Sequence, residues 1–168
     1  IMWAGESAIL LCNGTSWAKI AGKTIAMRCK ILNGKSVGFY DPINHATVTV
    51  VPMDSTDHDN TGLMADLAND RITCRRSGVY ITSGFVGYCG SASAGGIGAN
   101  ATRLFASFPG AQPEVSAVSG SVPCIGAATT WSLTAGTTYQ LTGYQTTGLT
   151  QYFYSGVSNF SLAEIPSW

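Results

Sequence analysis

From Val79 to Tyr88 the chain reads Val-Tyr-Ile-Thr-Ser-Gly-Phe-Val-Gly-Tyr, and both faces of that strand would be apolar. Val79, Ile81 and Phe85 share the odd face, while Tyr80, Val86 and Tyr88 share the even one. A strand with one face in water alternates apolar with polar residues. Here one face can fill a core, and the other must be covered by a neighbouring subunit or an extra layer. Charge patterning points the same way. Of 18 charged residues, 16 precede residue 104, and only Glu114 and Glu164 follow it. A 65-residue stretch so poor in charge stays soluble most simply when identical subunits cover part of it.

The remaining signals are those of short strands. Good helix formers cluster only at Gly62–Asn69, enough for a turn or two. Elsewhere β-branched and aromatic runs are punctuated by Gly, Asn, Pro and Ser, which predicts an all-β sandwich or barrel. Ser7–Cys12, the turn Asn13-Gly14 and Thr15–Ile20 predict a hairpin. Lys23–Lys30 is a candidate third strand, and Pro42 marks a boundary. The expected division is a connecting hairpin segment over 1–42 and a larger unit over 43–168. Within the latter, strands are expected at Ala46–Val51, Arg71–Cys74, Val79–Tyr88, Thr102–Phe108 and Asn159–Ile165, with another in 114–124. Thr129–Leu133, the turn Thr134–Thr137 and Thr138–Gln145 read as a second hairpin. The sum is about eight strands, which suits a jelly roll.

With nine basic and nine acidic residues the net charge is zero. No field draws the chain to nucleic acid or an anionic membrane, and no apolar run reaches the length of a membrane helix. No signal peptide is recognisable, and the opening Ile1-Met2-Trp3 reads as the interior of a longer protein. Five scattered cysteines without a CxxC pair argue against a zinc ribbon. Reduced, buried thiols are expected, with a Cys74–Cys89 disulfide as the alternative in a secreted chain.

Chemistry candidates are sparse. Asp57-x-Asp59-x-Thr61-Gly62 matches the first half of a calcium loop, but Ala68 stands where the closing acid belongs. No cofactor is expected, and calcium at this loop, helped by Asp54, Asp66 or Asp70, is the alternative. His45 and His58 are the only histidines, and no Gly-x-Ser-x-Gly elbow presents a nucleophile. The glutamates are too dispersed for a glycosidase pair. Gly22-Lys23-Thr24, Gly34-Lys35-Ser36 and Gly96-Ile97-Gly98 imitate nucleotide loops without the required glycines or βαβ context. Asn13, Asn100 and Asn159 head chance glycosylation sequons. Gln151, Tyr152, Phe153 and Tyr154 are the candidate ligand surface, because exposed aromatics stack on sugar rings; the competing reading packs them inside as a strand. Tyr80, Val86, Tyr88, Trp131 and Tyr144 are the candidate core or trimer-interface residues.

The order of several short motifs resembles one family. They are Arg71-Ile72-Thr73 with Ser77-Gly78-Val79-Tyr80, Trp131–Thr137 with Tyr144-Gln145-Thr146-Thr147-Gly148, and Phe160-Ser161-Leu162. This pattern resembles the globular head shared by complement and tumour necrosis factor relatives, in the version at the tips of bacteriophage fibres. Asp57–Met64 looks like the acidic segment that precedes the core strands in phage versions. Trp3–Ala8 with Cys12–Trp17 resembles a small β element of phage fibre and spike proteins. No collagen-like repeat is present, which favours the phage version. The resemblance implies a homotrimer with threefold packing and distal loops that meet the ligand. It also implies a non-enzymatic virion protein, assembled in the host bacterial cytoplasm. Its task would be attachment, as a tail fibre or spike tip, to a host-surface glycan or outer-membrane protein. A head fibre or capsid decoration protein is the alternative, and other virion tail or capsid proteins are the expected partners. A secreted animal-type ligand and a depolymerase are further alternatives.

Overall fold

The two-faced strand forms and is the longest among the described residues. The computed structural model describes residues 8–12, 14–21, 26–30, 40–59, 63–90, 101–118, 123–155 and 157–165. In chain order the strands are β1 (Ile9–Cys12), β2 (Trp17–Ala21), β3 (Ala26–Lys30), β4 (Tyr40–Ile43), β5 (Thr49–Val50), β6 (Ser55–Asp59), β7 (Ala65–Asp66) and β8 (Arg71–Thr73). They continue as β9 (Gly78–Cys89), β10 (Ala101–Ser107), β11 (Glu114–Val118), β12 (Cys124–Leu133), β13 (Thr138–Tyr139), β14 (Thr142–Gln145), β15 (Gln151–Tyr154) and β16 (Asn159–Glu164). A single 3-10 turn over Leu67–Asn69 is what the Gly62–Asn69 stretch yields among the described residues.

β9 organises a seven-stranded sheet. One edge pairs along Gly78–Gly87 with β12; the other pairs first with β16, then at Tyr88 and Cys89 with β15. β3 and β6 extend the sheet beyond β16, and β4 extends it beyond β15. A four-stranded sheet, β11-β10-β14-β5, lies opposite, and a three-stranded one, β13-β8-β7, closes an end. The fold is thus the all-β jelly-roll sandwich expected from the strand pattern.

The core sits between the sheets. Tyr80, Tyr88, Phe153, Phe160, Met27, Ile43, Met53, Met64 and Ile72 are its largest fully buried side chains. Burying about ten such side chains at roughly 1.5–3 kcal/mol each provides the main drive to fold. Gly84 makes room for it: a Cβ there would lie 2.5 Å from the Phe108 ring and 2.8 Å from Leu141.

Three expectations are revised. The hairpin β1–β2 forms, with Cys12 opposite Trp17. However, β3 pairs with β16 and β6, and β4 pairs with β15. Residues 26–30 and 40–43 therefore pair into the large sheet and not with the hairpin. What stands as a separate sheet is the hairpin over 9–21. Second, Thr129–Gln145 is not a hairpin. The turn closes, with the Thr137 N–H donating to the Thr134 carbonyl at 3.2 Å. Yet β12 pairs with β9, β13 with β8, and β14 with β10 and β5. Turn residues encode a reversal, not the partner. The local hairpin is instead β10–β11, closed at Pro109-Gly110. Third, the acidic stretch after residue 52 holds a full strand, β6, on the edge of the large sheet.

Burial also fixes the thiols. All five cysteines are free, Cys12 and Cys124 exposed and Cys29, Cys74 and Cys89 buried, so the alternative Cys74–Cys89 bridge is not formed. Burial pushes the Cys29 thiol from its ordinary 9.0 up to about 12, and raises the Tyr80 and Tyr88 hydroxyls as well. Each group is neutral when protonated, so the folded state holds these protons more tightly than the unfolded chain. Their stabilisation is complete below pH 9 and is lost as pH climbs toward 12. Denaturant midpoints are expected to stay level through neutral pH and to fall steadily above pH 9; a flat alkaline limb would contradict it.

Candidate assembly and attachment surfaces

The face of the large sheet turned away from the core is built by β12, β9, β16 and β3. On β9, Val79, Ile81 and Phe85 point outward and are 45%, 48% and 37% exposed. Register places Thr130, Ile81, Ala163 and Ala26 in one row across four strands. The next row holds Ala128, Ser83, Ser161 and Arg28, with the Ser83 and Ser161 hydroxyls 2.6 Å apart. Gly126, Phe85, Asn159 and, on β3, Lys30 form a third. Across β12, β9 and β16 these rows contain no charged residue; the first is Arg28 on β3, which meets Asp57 at 3.4 Å. Small neutral residues around three apolar anchors make a flat, easily desolvated patch.

The even face of β9 is the buried one. Tyr80, Val86 and Tyr88 lie wholly in the core, so of their two expected roles they fill the core one in this chain. The apolar residues left exposed are the odd set. Trp131 shares the core-side face with its partner Tyr80, but β12 is the sheet edge, and the indole lies half-exposed over the Gly110 turn. Tyr144 is half-buried on β14, its N–H donating to the Tyr88 hydroxyl at 3.2 Å.

The expected ligand run is strand β15. Gln151 and Phe153 point inward and are buried, so neither can stack on a ligand; Phe153 lies 6.2 Å from the Tyr88 ring centre. Tyr152 and Tyr154 are half-exposed on the outer face. The alternation along the strand, not aromatic content, decides which side chains are accessible. Beside this run the Tyr-Gln-x-x-Gly motif is a hydrogen-bonded turn. Gln145 Nε2 donates to the carbonyls of Ile43 (3.0 Å) and Leu149 (2.8 Å). Its Oε1 accepts the Thr147 N–H and hydroxyl, both at 2.8 Å. Gly148 takes the left-handed φ of +82°, and its N–H donates to His45 Nδ1 at 3.0 Å. The loop at 44–48 is thereby joined to the turn at 146–150, and Val48 and Leu149 stand exposed there. Gln145→Ala would strand several buried groups at about 1–3 kcal/mol each. A loss of about 2–4 kcal/mol in urea unfolding is expected, whereas a change under 1 kcal/mol would deny the side chain this role.

The acids of the half calcium motif are engaged elsewhere. Asp59 Oδ2 accepts the N–H groups of Met64 (2.8 Å) and Ala65 (3.0 Å). Asp66 binds Arg71 at 2.7 Å, Asp70 accepts the Met53 N–H at 2.8 Å, and Asp57 meets Arg28. Arg71 and Asn69 hold the Asp66 carboxyl below the usual range. Thr61 and Gly62 lie outside the described residues, and among the described ones no three candidate ligands converge. EDTA is accordingly expected to leave the melting temperature unchanged; a fall restored by calcium would reverse that.

His58 is exposed on β6, while His45 serves the Gly148 turn. Gly22-Lys23-Thr24, Gly34-Lys35-Ser36, Gly96-Ile97-Gly98, Asn13 and Asn100 lie outside the described residues. Sequence reasoning missed the Arg76–Glu164 ion pair, in which Arg76 Nε donates to Glu164 Oε1 at 2.7 Å and Nη2 to Oε2. It joins residues 88 apart and occupies one of the two charges found after Arg103. Their opposite signs were the one available signal.

A seven-stranded sheet facing a four-stranded one, with β3, β16, β9 and β12 side by side, is the jelly-roll sandwich of tumour necrosis factor and complement heads. The structure of Eiger TNF from S. frugiperda superposes with a TM-score of 0.56 at 14% identity, covering 86% of this chain and 94% of that one. The globular domain of zebrafish complement 1qA protein gives 0.51 at 10% identity, covering 87% and 100%. PRD1 vertex protein P5 gives 0.53 at 14% identity, covering 99% of this chain and 85% of that one. Neither a family sequence profile nor any curated protein matches the chain. Among the described residues no helix is long and apolar enough to cross a membrane.

Proposed function

We propose that this protein is a non-enzymatic bacteriophage virion component, a trimeric fibre- or spike-tip head that attaches the particle to the host-cell surface. The observation that carries the reading is the outer face of β12, β9 and β16. It is uncharged, it exposes Val79, Ile81 and Phe85, and a single chain leaves it in water. Three copies packed around an axis would cover it in each subunit. The phage setting draws support from the likeness to a vertex protein, which extends over 99% of the chain and so takes in the hairpin. Ligand contact falls to exposed groups such as Tyr152, Tyr154 and the 44–48 and 146–150 loops, with a glycan or outer-membrane protein as receptor.

The second reading, a head fibre or capsid decoration protein, is favoured by one specific observation: the similar structure is named for a vertex. Two measurements test these readings. Sedimentation of the purified chain should give three times its 17.5 kDa mass. Gold-labelled antibody on intact particles should decorate a fibre or spike tip; decoration of the capsid surface would favour the second reading, and a stable monomer would defeat the trimer.

A further inference from the structure

The hairpin β1–β2 presents a problem that the described residues of its own chain do not solve. Ile9, Leu10, Leu11 and Trp17 are all between half and seven-tenths exposed. Leu10 and Cys12 face one way, together with Trp17, which stands opposite Cys12; Leu11 faces the other way. The ribbon is two strands wide and exposes apolar side chains on both faces, Leu10 and Trp17 on one and Leu11 on the other, with Lys19 standing opposite Leu10. An isolated two-stranded ribbon is marginal in water even with one face covered.

The geometry points to an occupant: we infer that the hairpin is an intersubunit clasp, each copy wedged between the hairpins of two other copies of this chain. This rests on the trimeric reading above. Two arguments select that occupant. The first is symmetry. In a twofold dimer a face meets its own copy, so one face of the ribbon would stay in water. A threefold ring gives every subunit two neighbours that meet different faces, which is what a ribbon apolar on both sides requires. The second is reach. Only four residues separate Ala21 from Ala26, so these two lie at most about 18 Å apart. Ala26 ends the row Thr130–Ile81–Ala163–Ala26 across the uncharged face of the head. The hairpin is therefore tethered at the margin of the surface proposed to face the axis, and three copies would be brought together there.

Charge substitution on the full chain tests the clasp. Leu10→Lys, placed opposite Lys19 so that its charge finds no partner within the hairpin, loads one face and Leu11→Glu the other. In a ring contact each face meets the opposite face of a neighbour. Either single change should raise the concentration at which the trimer half-dissociates by about tenfold or more. The double variant should recover most of that loss, because the glutamate of one copy meets the lysine of the next. Rescue by the double variant also shows that the singles did not merely unfold the ribbon. The clasp is overturned if both singles sediment as stable trimers at wild-type concentrations, or if the double variant is no better than the worse single. Loss of the trimer on Ile81→Asp alongside unaffected hairpin variants would leave the trimeric reading standing without the clasp. A wild-type monomer would remove both.

Discussion

If the chain assembles as proposed, Ile81→Asp is expected to turn the trimer into a folded monomer. Ile81 sits at the centre of the outward row, flanked by Thr130 and Ala163, with no charged residue in register on either neighbouring strand. In the assembled particle an aspartate there has no partner, and it recurs in three subunits. An unpaired charge taken out of water costs several kcal/mol. At even about 2 kcal/mol per subunit the association constant falls by more than about 10⁴. The single chain is affected far less, because the site is half-exposed within it and surface changes seldom exceed about 0.5–1 kcal/mol. Sedimentation at micromolar concentration should show 17.5 kDa particles with an unaltered near-ultraviolet dichroism spectrum. Val48→Asp, at a site still more exposed but on the 44–48 loop, should remain trimeric. A trimeric Ile81→Asp variant would mean that the uncharged face is not where the subunits meet.

The second large effect lies in the core. Phe160→Ala should cost about 3–5 kcal/mol, a large share of the 5–15 kcal/mol by which such domains are stable. Phe160 is 1% exposed, packs 6.3 Å from the Phe108 ring centre, and stands opposite Gly84, which carries no side chain to collapse into the space. The measurement belongs on the monomeric Ile81→Asp background, where assembly adds nothing to the unfolding free energy. Phe85→Ala, one residue on from Gly84 but facing out, should hardly shift that midpoint while weakening the wild-type trimer. A loss below 1 kcal/mol for Phe160→Ala would place the centre of the core elsewhere.

The contrast between Phe85 and Phe160 marks what the sequence could yield. The all-β class, the N-terminal hairpin and the anomaly of β9 were legible, because short β-branched runs, Asn-Gly and two-sided apolarity act locally. Which face of β9 is buried was not legible, since Tyr80, Val86 and Tyr88 are as apolar as Val79, Ile81 and Phe85. The choice is made by space: Gly84 on the even face leaves room for Phe108 and Leu141. Partner choice was hidden for the same reason. β12 and β13 are joined by a sound turn, but each is bonded to a strand remote in sequence. In β15, composition suggested a platform of four residues, whereas the pleat exposes only the two tyrosines.

β3 lies antiparallel between β16 and β6, and the hairpin is joined to its first residue. A tether pulling through the hairpin would therefore draw β3 along its own axis. Its ladder hydrogen bonds run across that direction on both sides, so they would carry the load together in shear, not peel one at a time. Under the attachment role proposed above, a head hung this way would resist the pull of a drifting particle, because the strand that takes the strain is gripped on two edges.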